Sequence, residues 1–192
     1  MIPDTALKTA PTTEPVTLAE AQSHCRVTDE AEAAYLTSLI TAARQMAEVM
    51  TGRALITQTW YAYWNFFPNE LRLPFPPLVS ITAITYKDTA GASQTLAAAL
   101  YEVHTEQDPG VVVRAYGASW PSTYGMPNVI RAEYVCGYGA ATAVPQAIKQ
   151  AMLFQISHWY ENREAVAAIQ LKDVPLSVDA LLSAYRHGWE WT

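Results

Sequence analysis

One segment limits the choice of fold more than any other. From Pro145 to Glu164 the chain reads PQAIKQAMLFQISHWYENRE. Its apolar residues Ala147, Ile148, Ala151, Met152, Leu153, Phe154, Ile156, Trp159 and Tyr160 cover too wide an arc for the single stripe of a surface helix. Pro145 suits the first turn, where its missing backbone donor has no intrahelical partner to lose. Such a helix has to be surrounded, so it belongs at the centre of a helical group. Gln146, Lys149, Gln150, Gln155, Ser157 and His158 interrupt it, which argues against a membrane span. After a weakly patterned connector, a last amphipathic helix runs from about Leu176 to His187 and stops at Gly188.

Two helices near the N-terminus supply partners for it. Thr17 with Glu20 three residues on has the form of a capping box, opening a short helix that runs to about Arg26. The next helix starts around Asp29. Leu36, Leu39, Ile40, Ala43, Met46, Ala47 and Met50 recur at three- and four-residue steps, forming one apolar stripe. Gly52 stands where a left-handed C-terminal residue is wanted. Between Ala54 and Gly139 the period changes to two. Strands are expected at Thr59–Phe66, Val79–Lys87, Tyr101–His104, Val111–Arg114 and Val129–Val135, separated by turn-rich stretches such as Asp88–Gly91 and Asp108–Gly110.

The order predicts an α+β fold: a helical bundle of two N-terminal and two C-terminal helices, with an inserted antiparallel β-rich lobe. The expected divisions are a flexible arm over 1–16, a helical core over 17–52 and 145–187, a β-rich lobe over 53–144, and a tail over 188–192. Only 16% of residues are charged and 51% are apolar. An ordinary domain carries ~25% charged residues, so the deficit points to surface that partners cover. The net charge of −6 excludes a basic footprint for gripping phosphates. Five acids (Glu20, Asp29, Glu30, Glu32, Glu48) against Arg26 and Arg44 concentrate negative charge on the N-terminal helices. Cys25 and Cys136 lack metal or redox spacing and read as buried thiols in a reducing compartment. The start MIPDTALKTAPTTEP lacks a charged segment followed by an apolar run, so a cytosolic chain is expected.

No catalytic constellation stands out, and neither cofactor nor metal is expected. His158 and Glu161 have i, i+3 spacing but no second unit to complete a metal site. Glu106 and Asp108 flank a Pro-Gly turn, so together with Glu133 they make a weak case for hydrolysis. Gly137-Tyr138-Gly139 is too short for a phosphate loop. The aromatics from Trp60 to Phe67 read first as sheet packing and second as a glycan-binding platform. Trp189 and Trp191 lie beyond any periodic element, and terminal indoles of that kind are expected to dock.

Several segments together resemble a family of tailed-phage and prophage head–tail connector (adaptor, neck) proteins. They are LPFPPLVSITAITYKDTAG, Tyr101-Glu102-Val103 before a Pro-Gly turn, Trp120-Pro121, Val135-Cys136-Gly137-Tyr138-Gly139, VPQAIKQAMLFQISHWYENRE and VPLSVDALLSAYR. The resemblance implies a structural, non-enzymatic subunit that assembles in the host cytoplasm and resides in the virion neck. It implies a ring, typically of twelve copies, below the portal, with the isolated chain monomeric until it meets the portal. Such a ring extends the DNA channel without sequence-specific binding and docks a downstream neck or tail-completion protein, with no membrane involved. On this reading the side contacts use Glu30, Thr37, Thr41, Arg44 and Glu48 together with the β-rich lobe. The portal contact uses Tyr185, Arg186, Trp189 and Trp191.

Overall fold

The structure, a computed structural model, describes residues 3–163 and 176–187. It is α+β, with four α-helices and antiparallel sheets among the described residues. The chain divides into two compact units. One comprises Thr12–Ile56 and Tyr138–Thr192, the other Met1–Pro11 and Thr57–Gly137.

The first unit is helical. Helix α1 (Leu18–Cys25) begins at Thr17, whose hydroxyl accepts from the Glu20 backbone while the Glu20 carboxylate accepts from the Thr17 N–H at 2.7 Å. The capping box is therefore formed in full. Val16 before it and Ala21 inside it are both buried, as a hydrophobic staple requires. Helix α2 (Ala33–Thr51) follows a 3₁₀ turn at Glu30–Glu32 and ends on Gly52 at φ 68°. Its stripe is inward: Leu36, Ile40, Ala43 and Ala47 are buried, with Leu39, Met46 and Met50 packed at the margin.

Helix α3 (Gln146–Glu161) packs against α1 and α2 and also against α4 (Leu176–Ser183). Ile148, Ala151, Met152 and Ile156 join Val178 and Leu182 in the core. The expectation of a central helix follows from three flanking helices, each taking a different part of its circumference. Phe154 is its one large apolar residue at the surface, and its ring lies 5.8 Å from that of His24. Gln155 is buried in α3, and its Oε1 has no hydrogen-bond partner among the described residues.

The second unit carries eight strands among the described residues: β1 (Asp4–Thr9), β2 (Gln58–Trp64), β3 (Glu70–Arg72), β4 (Leu78–Lys87), β5 (Ser93–Thr95), β6 (Tyr101–His104), β7 (Val111–Arg114) and β8 (Ile130–Cys136). They form a five-stranded sheet in the order β1-β2-β8-β4-β5 and a three-stranded sheet in the order β3-β7-β6. Alternation along β8 buries Ile130, Ala132, Tyr134 and Cys136 and turns Arg131 and Glu133 outward. Tyr134 anchors the interior through its hydroxyl, which donates to the Pro74 carbonyl at 3.1 Å; burial pushes its pKa well above the ordinary range.

Three strands lie where periodicity gave no signal. β3 and β5 are each three residues long, too short to show alternation. Strand β1 falls within the stretch expected to be a flexible arm. It pairs antiparallel with β2, from Asp4 opposite Tyr63 to Thr9 opposite Thr59. An edge strand buries little, so its sequence needs no apolar alternation, and the hydrogen-bond ladder with β2 supplies the order instead. Neither cysteine forms a disulfide, and burial pushes the Cys25 thiol pKa up.

Candidate interface surfaces

The residues expected to form a side contact divide into two groups. Glu30 and Thr37 are exposed on the outer side of the helical unit. Thr41 and Glu48 are half-buried and Arg44 is buried, and all three are engaged within the helical unit. The Arg44 side chain is only 9% exposed. Its Nε donates to Glu14 at 2.7 Å and its Nη1 donates to Glu48 at 2.8 Å. Thr41 donates to the other Glu14 oxygen at 3.0 Å, and Glu48 also accepts from the Leu55 backbone N–H at 3.0 Å. The reason is steric and electrostatic. Arg44 stands at the margin of the apolar stripe, where its stem packs and its guanidinium needs carboxylates. Glu14, from the stretch before α1, supplies one and fastens that stretch to α2.

With those three residues engaged, the exposed residues of α2 are Ala34, Thr37, Ser38, Gln45 and Val49. Val49, in the last turn of α2, is 84% exposed, a high value for a β-branched apolar side chain on a helix. Beside the N-terminal half of α2 lies a groove of about 520 Å³. Val16, Leu18, Ile40 and Ala141 give it apolar walls, and Thr13, Thr17, Thr37 and Thr142 line it with hydroxyls.

The C-terminal residues expected to meet the portal are tied to the helical unit as far as they are described. The Tyr185 carbonyl accepts from Arg53 Nε at 2.6 Å, Arg186 pairs with Asp179, and the His187 N–H donates to the Thr51 carbonyl at 2.7 Å. Trp189 and Trp191 lie outside the described residues. At the other end of α3, Arg163 pairs with Glu32 and sits 4.7 Å over the rings of both Tyr35 and Tyr160.

On the β unit the aromatic run serves packing rather than one open platform. Trp64 is 2% exposed. The Trp60 ring lies 4.2 Å from Phe75 and its Nε1 donates to Gln58. Phe67 stacks on Trp120 at 4.9 Å, and Tyr61 lies under Lys8 and Arg131 on the opposite face. Glu133, one of the considered acids, is engaged by Lys8 at 2.6 Å. Glu106 takes a hydrogen bond from its own backbone and one from His104, which hold its pKa below the usual range. No group of three or more His, Cys, Asp or Glu among the described residues could hold a metal ion. No helix among them is long and apolar enough to cross a membrane.

Residues 15–102 match the model of the phage gp6-like head-tail connector proteins, a span from just before α1 into β6. No curated protein matches the chain in sequence. Solved structures match nearly all of it. A chain from the virion of a native gene transfer agent particle aligns with a TM-score of 0.77 and 25% identity, covering 96% of this chain and 95% of that one. A chain from the neck of an empty particle, computed with C6 symmetry, gives 0.76 and 26%, covering 96% of each. A chain from the neck of the native particle, computed with C12 symmetry, gives 0.68 and 25%, covering 95% and 96%. The connector family's model matches residues 15–102 and a neck component's fold recurs over almost the full length, so the chain is similar to phage-type head–tail connector proteins.

Proposed function

We propose that the chain assembles as a ring of twelve copies beneath a portal, after synthesis in the host cytoplasm, and extends the channel through which DNA passes. The likeness to a chain from a particle neck computed with C12 symmetry, over almost the full length of both, carries this reading. The low charge content supports large covered surfaces. The acids of α1, α2 and the turn between them favour a channel that repels rather than holds a polyanion.

The open face of α2, Thr37, Gln45 and Val49 with Glu30 before it, supplies the contact between neighbouring copies. The β unit, with exposed Phe66, Tyr116 and Tyr124, faces the downstream neck protein. Electron microscopy of particles from cells lacking this chain tests the function. Filled heads and separate tails that fail to join are expected. Normally joined particles would refute the role.

A further inference from the structure

We infer that the groove beside α2 receives the terminal segment Gly188-Trp189-Glu190-Trp191-Thr192 of a neighbouring copy. This rests on the ring reading and names one contact within it. The groove is open to solvent along one side, and its volume of about 520 Å³ falls in the ~300–1,000 Å³ range of ligand clefts. Its lining combines aliphatic side chains with polar groups able to accept an indole N–H, the threonine hydroxyls and the Glu14 carboxylate. The tail matches that chemistry. In an extended segment Trp189 and Trp191 share one side and Glu190 takes the other. Both indoles can therefore enter the groove while the carboxylate stays in water.

Chain length decides whose tail it is. The bond from His187 to Thr51 fixes the last described residue at the C-terminal end of α2. Ile40 and Thr37 stand 11 and 14 residues back along that helix, or ~16–21 Å at 1.5 Å per residue. From His187, full extension carries the Trp189 backbone only ~7 Å and that of Trp191 ~14 Å. A chain therefore cannot seat both indoles in its own groove. A neighbour can, if successive copies bring the C-terminal end of one α2 to the N-terminal half of the next. Tail into groove joins two different surfaces, the kind of contact that repeats around a ring.

The test uses a fluorescein-labelled peptide of residues 184–192. The receptor is the full chain carrying Trp189→Ala and Trp191→Ala, at concentrations where light scattering finds monomer. Anisotropy should rise saturably, and Thr37→Arg in the receptor should weaken binding about tenfold or more. No saturation, or binding indifferent to Thr37→Arg, would overturn the proposal. So would a monomeric wild-type chain that refuses the peptide while the double variant takes it, since its own tail would then fill the groove. Capture of the peptide by portal-bearing heads, but not by the chain, would reassign the tail to the portal. A failed peptide experiment with normal dependence of particle joining on this chain removes only the groove contact. Loss of that dependence removes the connector ring itself.

Discussion

At the residue scale, the node joining Glu14, Thr41, Arg44 and Glu48 ties the stretch before α1 to α2. Exposed ion pairs are worth ~0–1 kcal/mol, whereas removing one partner of a buried pair costs ~3–5 kcal/mol. This node lies between, because the Glu14 and Glu48 side chains keep 26% and 17% exposure. Arg44→Ala should cost about 2 kcal/mol, seen as a lower thermal midpoint. The Glu14→Ala, Arg44→Ala double variant should lose less than the sum of the singles by about 1 kcal/mol. Additive losses would show that the two charges act separately.

Glu20 gives a prediction in pH. The Thr17 backbone N–H, and then its hydroxyl, donate to the Glu20 carboxylate and hold its pKa below the ordinary value of 4.5. A folded-state pKa below that of the unfolded chain gives stability that is complete above the unfolded value and is lost as pH falls through the folded one. Glu20→Gln should therefore be less stable than the native chain near neutrality, by a few tenths of a kcal/mol for a capping contact this exposed. The gap should close in acid. Urea unfolding at neutral and acidic pH checks it, and a gap that widens in acid would contradict the sign.

At the element scale, legibility in the sequence followed length and periodicity. The stripe of α2 and the wide apolar arc of α3 were readable because each repeats over two or more turns, and the capping box of α1 because its two residues stand at a fixed local spacing. β7 was readable because three consecutive valines follow a strong turn signal, and β6 because the same Asp-Pro-Gly turn marks the hairpin that joins the two strands. The ladder between β1 and β2 was not, since pairing partners some fifty residues apart leave no local mark. The Glu14 contact was hidden for the same reason, although Val16 ahead of the capping box signals that the chain is already anchored there.

Gly110 is a further long-range constraint. It precedes β7, and a Cβ placed on it would lie 2.4 Å from the Cβ of Leu78 in β4. Gly110→Ala should lower the thermal midpoint by an amount equivalent to ~1–3 kcal/mol of overpacking. Leu78→Ala should not rescue it, because the Cβ itself is the obstruction. Rescue by that change would show that only the outer part of the leucine matters.

At the scale of the whole molecule, the scarcity of charge and the exposed apolar residues have one explanation in a subunit made to be covered. Val49 separates folding from assembly cleanly. At 84% exposure it contributes little to the fold of one copy, so Val49→Lys should change stability by no more than about 0.5 kcal/mol. In the proposed ring the same side chain lies against a neighbour, and an ammonium without a partner would be stripped of water at every subunit contact around the closed circle. Burying such an unpaired charge costs several kcal/mol per site. The variant should therefore melt like the native chain in calorimetry, yet fail to build a ring on portal-bearing heads. An intact ring carrying the lysine would place the contact between copies on another face.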